Sequence, residues 1–294
     1  MKKLQKKLLL LSLILMLAMP NFALADKIRD SGDALPAQTE KSQQDIQKPG
    51  DENKEMTEEE KKAVLDSINK SLTELSKANE LDSTIKLNII GKNPNKRTVS
   101  MNVRVESKYK YPEGNKKDIK KLQASLKMKI NLLNSDMFAN IYVRNGYIYM
   151  NTLGEKVKKK ITKKEARQYL IKDPVQKIEP DWIKNISKEE NTISLDVDPK
   201  AFFSYLMKSQ EYRSMLGGLS DIKTMKKTLK KISVKYVFED DAIKQGGFKM
   251  FFKEKVKKNK YNKSIVNFTV NYNKVNDIGE IVYPKNLNSY KKGR

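Results

Sequence analysis

Hydrophobic and polar residues alternate with a period of two in several stretches after residue 84, on both sides of a mixed middle region, which is typical of strands with one buried and one solvated face. The pattern predicts strands at residues 85–89, 99–105, 122–132, 137–143, 147–150, 192–197, 232–238, 248–252, 266–272 and 281–283. Asn145-Gly146 predicts a tight type I′ turn, and Gly246-Gly247 is expected in another turn. The order predicts an antiparallel meander.

A helix precedes these strands. Leu65, Ile68, Leu72 and Leu75 follow one another at helical spacing and form one apolar stripe. Just before them, Thr57 and Glu60 match a capping box, in which the two side chains bind exposed backbone N–H groups. Because the stripe must be buried, we expect this helix to lie on an apolar surface.

Further helices are expected in the middle of the chain. Residues 162–170 and 175–186 predict short helices, the second broken or restarted at Pro180. Another helix is expected to begin at Pro199, with Asp198 as its cap, and to end by Gly217-Gly218. A Lys-rich helix is expected over residues 220–230.

The N-terminus has the three parts of a secretory signal peptide. Four lysines precede an apolar run at residues 8–18, and Ala23-Leu24-Ala25 supplies the small residues that signal peptidase requires. Residues 1–25 are thus expected to be removed. An uncleaved anchor is the alternative, although the run is shorter than the roughly 20 residues that span a bilayer. Residues 26–56 predict a disordered acidic linker, and residues 57–294 predict one domain.

The composition removes several kinds of chemistry. The 294 residues include no Cys and no His, so a thiol nucleophile, an imidazole base and a Cys/His metal site are excluded. No glycine-rich phosphate-binding loop occurs either. We therefore predict that the chain is not an enzyme and that it has no catalytic residue, no metal site and no cofactor.

Lysine dominates the charge. The chain carries +24, and a signal peptide at +4 and residues 26–60 at −6 leave +26 on residues 61–294. The lysine runs fit either a solvated face or attraction to an anionic cell-wall polymer or membrane surface. Few Arg residues and no recognition motif argue against nucleic acid. The candidates for an anionic-surface contact are Lys156, Lys158, Lys159, Lys160, Lys226, Lys227, Lys230 and Lys231.

The apolar faces of the predicted strands are rich in Met and Phe. Met is flexible and polarizable and suits a surface that accepts varied apolar ligands. The same residues also fit an ordinary filled core, and alternation agrees with both arrangements. The candidates for a ligand cleft are Met101, Leu126, Met128, Ile130, Phe248, Met250, Phe252 and Phe268.

Three stretches resemble the LolA and LppX type of lipoprotein-carrier half-barrel, most closely its uncharacterised secreted Gram-positive members. They are residues 141–150 (IYVRNGYIYM) running into 154–159 (GEKVKK), residues 193–198 (ISLDVD) before a helix, and residues 272–284 (YNKVNDIGEIVYP). Together with the opening helix, the match spans residues 57–287. Many relatives carry a lipobox cysteine, which this chain lacks.

The resemblance implies an α+β fold in which an incomplete antiparallel β-barrel, a half-barrel, wraps over helices. It also implies a secreted cell-envelope protein that binds or carries lipid or lipoprotein acyl chains in an apolar cleft, without catalysis. The alternative is a basic interaction module with a filled core, which binds an anionic cell-wall polymer or membrane surface. The expected partners are therefore a lipid or acyl chain, or an anionic surface, and not nucleic acid.

Overall fold

The computed structural model describes residues 56–95, 98–111, 120–132, 135–152, 154–161, 178, 180–208, 227–257 and 260–292. The expected signal peptide, residues 26–55 of the expected linker, the helix predicted at residues 162–170 and Gly217-Gly218 lie outside these residues. No helix within the described ranges is long and apolar enough to cross a membrane.

Two α-helices and twelve strands lie within the described residues, and residues 227–228 are also helical. The helices are α1 (Glu58–Lys77) and α2 (Pro199–Lys208). The strands are β1 (Glu80–Lys92), β2 (Thr98–Lys110), β3 (Gln123–Leu132), β4 (Ser135–Arg144), β5 (Tyr147–Thr152), β6 (Glu155–Lys160), β7 (Ile183–Glu189), β8 (Thr192–Val197), β9 (Leu229–Glu239), β10 (Ala242–Lys257), β11 (Lys260–Val275) and β12 (Lys291–Lys292).

All twelve strands belong to one sheet, in the order β12-β6-β5-β4-β3-β2-β1-β11-β10-β9-β8-β7. Strands β1 to β6 are successive neighbours, and so are β7 to β11, so the predicted meander is confirmed in each half. The two meanders meet where β1 pairs with β11. All pairs are antiparallel except β12 with β6. Because β7 and β12 stand at opposite ends of this order, the described sheet is open.

Helix α1 has the predicted start and the predicted buried stripe. The Thr57 hydroxyl accepts the Glu60 N–H at 3.2 Å, and the Glu60 carboxylate accepts the Thr57 N–H at 2.8 Å. Ile68 is completely buried, and the stripe shares one core cluster with the sheet. The Ser71 hydroxyl accepts the backbone N–H of Ile243 on β10 at 2.8 Å. This helix therefore packs on the sheet and is hydrogen-bonded to it.

Helix α2 also begins where the sequence predicts. One oxygen of the Asp198 carboxylate accepts the N–H groups of Lys200 at 2.6 Å and Ala201 at 3.0 Å, which confirms Asp198 as the cap. Before the helix, a short 3-10 turn at Pro180–Trp182 brings the Trp182 ring against Phe202 of α2, with centroids 6.0 Å apart. Trp182 and Phe202 both pack against the main core.

Gly246-Gly247 lies within β10, so the prediction of a turn there was wrong. A Cβ on Gly247 would lie 2.4 Å from the backbone oxygen of Phe268, and one on Gly246 would lie 3.3 Å from the Tyr236 ring. The two glycines allow close packing inside the sheet. A Gly-Gly pair also occurs in turns, and the sequence alone does not distinguish the two uses. The turn before β10 is Asp240-Asp241, with φ of 50° and 61°.

Other element predictions also need correction. Strand β7 begins at Ile183, so the last four residues of the helix predicted at residues 175–186 are strand and the prediction was wrong there. Strand β6 was missed because four of its six residues are lysines. Strand β9 starts at Leu229, inside the helix predicted to reach residue 230. Residues 281–283, predicted as a strand, belong to an irregular segment.

Candidate functional site

The eight cleft candidates share one face of the sheet, here called the apolar face and defined by Ile85 and Leu87 of β1. Leu87 stands opposite Phe268, which in turn stands opposite Phe248. On the other side of β1, Leu87 faces Val103, which faces Ile130. Directly opposed residues point to the same face, as do alternate residues along a strand. The same registers place the rest of the set there: Met101, Leu126, Met128, Met250 and Phe252.

Six of the eight candidates are buried and two are not. The exposed fractions of the buried six run from 1% for Phe268 to 7% for Leu126 and Phe252. Met128 and Phe248 are half-buried, although both contact the main core cluster. The buried six therefore pack as core, and Met128 and Phe248 are the two members that an apolar ligand can reach from outside.

Half-buried neighbours enlarge the apolar surface around these two residues. Leu132 and Met137 accompany Met128 on β3 and β4, and Val234 of β9 stands opposite Phe248. We call these the Met128 group and the Phe248 group. At about 4.8 Å between strands, the four strand steps from β3 to β10 separate them by roughly 19 Å of sheet. Leu132, Met137 and Val234 were not among the cleft candidates, although alternation alone places them on this face.

None of the eight cleft candidates lines either of two surface hollows formed by described residues. The first has a volume of about 300 Å³ and lies at β4 and β5, where its lining residues include Met137 and Phe138. Met137 thus connects this hollow to the Met128 group. Phe138 points to the opposite face, 56% exposed, with the Lys129 ammonium 5.6 Å from its ring centroid.

The second hollow, of about 430 Å³, lies where β9, β10 and β11 meet, and here it is called the basic hollow. Four of its seven lining residues are lysines: Lys227, Lys230, Lys253 and Lys255. The remaining three are Thr228, Glu254 and Tyr261. This concentration of like charge in a concave surface favours an anionic ligand.

The structure separates the lysine candidates into two sets. Lys156, Lys158, Lys159 and Lys160 belong to β6, whereas Lys230 and Lys231 belong to β9 and Lys227 lies two residues before it. Seven strands lie between β6 and β9 in the sheet order. Lys226 lies outside the described residues. On β6, the Lys158 ammonium lies 4.4 Å from the ring centroid of Tyr147 and 5.3 Å from that of Tyr149.

A tyrosine cluster covers the opposite face at β4 and β5. Tyr142 and Tyr149 pack there against Leu287 and Tyr290 of the C-terminal segment, with Tyr283 beside them. The Tyr283 hydroxyl donates to the Val143 carbonyl at 3.1 Å. Burial raises the pKa of Tyr283 to about 12, and the Arg144 guanidinium, 5.0 Å from its ring centroid, opposes this rise.

The carboxylates before α2 have structural partners. The Asp196 carboxylate accepts the Ser233 hydroxyl at 3.0 Å and lies 3.3 Å from the Lys231 ammonium. The Ala201 N–H and the Lys184 ammonium hold the pKa of Asp198 below its ordinary value. Among the described residues, no three His, Cys, Asp or Glu side chains are grouped to hold a metal ion.

No protein-family model matches the chain, and no curated protein matches it. Solved structures similar to it include LprF from Mycobacterium bovis, with 9% identity, a TM-score of 0.35 and coverage of 76% of this chain and 97% of that chain. They also include a LolA superfamily protein from Nitrosomonas europaea, with 8% identity, a TM-score of 0.21 and coverage of 70% and 94%. The LolA superfamily, which the sequence resembles, is thus among the structural neighbours.

Proposed function

We propose that the chain is a secreted cell-envelope protein that binds or carries lipid or lipoprotein acyl chains in an apolar cleft, without catalysis. The observation that carries the proposal is the half-burial of Met128 and Phe248 on a face whose other candidate residues are buried. Each lies in a group of half-buried apolar side chains that contact the main core. Such groups offer an acyl chain an apolar surface beside the core.

The chemistry of the two groups suits an acyl chain. Met128 and Met137 are unbranched and polarizable, so they adjust to chains of different length and saturation. Each methylene that leaves water contributes about 0.8 kcal/mol. Neither group contains a charged residue, so chain entry requires no desolvation of a charge at these positions.

The direct test is native mass spectrometry of the chain after mild purification, followed by organic extraction and identification of any released lipid. The quantitative test is titration with a fluorescent long-chain fatty acid. Phe248→Ala is expected to weaken uptake at least about fivefold, because the accessible ring is lost. The matched control, Tyr147→Ala, removes an exposed ring from the opposite face and is expected to leave uptake unchanged. Equal uptake by all three proteins, or none by the wild type, would overturn the proposal.

The second candidate function is a basic interaction module that binds an anionic cell-wall polymer or membrane surface. The specific observation in its favour is the basic hollow with its four lysines. Attraction between exposed charges weakens with salt, because the Debye length falls from about 10 Å at 0.1 M to about 3 Å at 1 M. Wall fragments and anionic vesicles should therefore release the protein as salt rises. Retention unchanged at 1 M salt would contradict a charge-based mechanism.

The cellular location is part of the proposal and is tested separately. Cleavage after Ala25 would give a mature protein that starts at Asp26. Sequencing the N-terminus of the native protein decides between this start and Met1, which would indicate an uncleaved anchor. The acyl-binding test is to be done with the chain that this experiment identifies.

A further inference from the structure

The basic hollow is built by an irregularity in β9. Phe251 of β10 stands opposite Lys231, but Phe252 stands opposite Leu229, so Lys230 is an extra residue in the ladder. In a regular strand, Lys230 and Lys231 would point to opposite faces, and one of them would enter the apolar face. The bulge lets Leu229 and Ile232 both be buried while the two lysines between them stay exposed.

The other wall of the hollow comes from the ends of β10 and β11. Lys253 is half-buried, and its ammonium lies 4.2 Å from the ring centroid of Tyr261. Glu254, the one carboxylate in the lining, accepts a hydrogen bond from the Asn262 amide at 3.1 Å. The Lys230 ammonium donates to the Lys227 carbonyl at 2.6 Å. An ammonium has three N–H donors, so Lys230 retains donors for a ligand.

These features define the chemistry of the ligand. Ammonium groups act as point charges with several donors each, and several of them in one hollow suit the tetrahedral oxygens of a phosphate group. The hollow of about 430 Å³ is within the usual size of small-ligand sites. It also borders the apolar face, because Leu229 and Phe252, paired beside Lys230, are both buried there.

We propose that the basic hollow is a binding site for a phosphate ester, held by Lys230, Lys253 and Lys255. The phosphate belongs either to a soluble phosphodiester or to a lipid headgroup, and the two sources present the same group to the lysines. The inference rests on the second candidate function, binding to an anionic polymer or membrane surface, and assigns that binding to the basic hollow. It is independent of whether acyl chains enter at Met128 or Phe248.

The test compares two variants of equal net charge. The site variant is Lys230→Gln/Lys253→Gln/Lys255→Gln, and the control is Lys86→Gln/Lys127→Gln/Lys188→Gln, three exposed lysines of β1, β3 and β7. Thermal unfolding establishes that both variants are folded. Each is titrated with a short poly(glycerol phosphate) oligomer and with vesicles of phosphatidylglycerol and phosphatidylcholine, and pure phosphatidylcholine vesicles give the background.

The site variant is expected to bind the oligomer, the anionic vesicles or both at least about tenfold more weakly than the wild type, with less than about threefold loss in the control. A loss for the oligomer identifies a soluble phosphodiester as sufficient, whereas a loss confined to vesicles identifies a lipid headgroup. Equal losses in the two variants would overturn the site but leave general charge attraction standing. Wild-type binding no stronger than the neutral background would overturn both.

Discussion

The ring of Phe248 stacks on the ring of Phe268, with centroids 5.0 Å apart and planes inclined by 18°. The two residues are direct neighbours across β10 and β11. Phe268 is nevertheless only 1% exposed, whereas Phe248 is half-buried. The pair therefore marks the boundary between the packed core and the surface that is proposed to receive an acyl chain.

This boundary predicts unequal effects of truncation. Phe268→Ala leaves a void in packed core and is expected to lower the free energy of unfolding by about 3–5 kcal/mol. Phe248→Ala and Met128→Ala remove side chains that are already partly solvated, so losses of about 1–2 kcal/mol are expected. Urea unfolding with and without a long-chain fatty acid measures both the losses and any stabilisation by the ligand. Large losses at all three positions with no ligand effect would favour a filled core.

Local patterns account for the parts of the fold that the sequence predicts. Asn145 and Gly146 both have positive φ, 51° and 74°, as a type I′ turn requires. Two-residue hairpins favour this turn type because its twist matches the right-handed twist of the adjacent strands. The capping box at Thr57 and Glu60 is likewise a relation between residues three apart. Alternation also placed all eight cleft candidates on one face, since side-chain direction in a strand follows from parity.

The features that depend on distant residues were not predictable in this way. The close approach of Phe268 to Gly247 is set by strand pairing and not by neighbours in sequence. Strand β6 is mostly lysine and pairs because β5 and β12 flank it. The difference between buried Phe268 and half-buried Phe248 depends on what covers the apolar face, which alternation does not encode.

Gly247 should tolerate no side chain. Gly247→Ala would place a Cβ 2.4 Å from the Phe268 backbone oxygen. This oxygen belongs to a strand in the middle of the sheet, so it can move little to relieve the clash. We expect a loss of at least about 2–3 kcal/mol in the free energy of unfolding. Gly154→Ala is the comparison, since nothing lies within 4 Å of its added Cβ and the penalty there comes from its φ of 84°. Equal, small losses at both positions would contradict the placement of Gly247 within β10.

The hydrogen bond between Ser71 and Ile243 should stabilise the contact between α1 and the sheet. Ser71→Ala leaves the buried N–H of Ile243 without its acceptor, and a loss of about 1–3 kcal/mol is expected. Ser67→Ala, at an exposed position of the same helix, changes the same atoms and is expected to be neutral or slightly stabilising. Denaturant unfolding monitors stability, and hydrogen exchange at Ile243 should accelerate only in the first variant. Unchanged exchange there would show that the bond contributes little.

The tyrosine cluster predicts how stability changes in alkali. An unfolded tyrosine has a pKa of about 10, whereas burial raises that of Tyr283 to about 12. Between these values the folded chain keeps a proton that the unfolded chain has lost. The contribution of Tyr283 to the free energy of unfolding is therefore fully present below pH 10 and is lost as the pH rises towards 12.

Tyr283→Phe separates this effect from the rest of the cluster. At neutral pH the variant loses the hydrogen bond to the Val143 carbonyl, which is expected to lower the free energy of unfolding by about 1 kcal/mol. Between about pH 10 and pH 12 its stability should fall less steeply than that of the wild type, because one titrating group is absent. Burial also raises the pKa of Tyr142 and Tyr290. Both tyrosines are present in the wild type and in the variant, so their effects on the two slopes cancel. Urea unfolding at several alkaline pH values measures the two slopes, with Tyr147→Phe as an exposed control. Parallel slopes for the wild type and Tyr283→Phe would show that burial does not keep the Tyr283 hydroxyl protonated in this range.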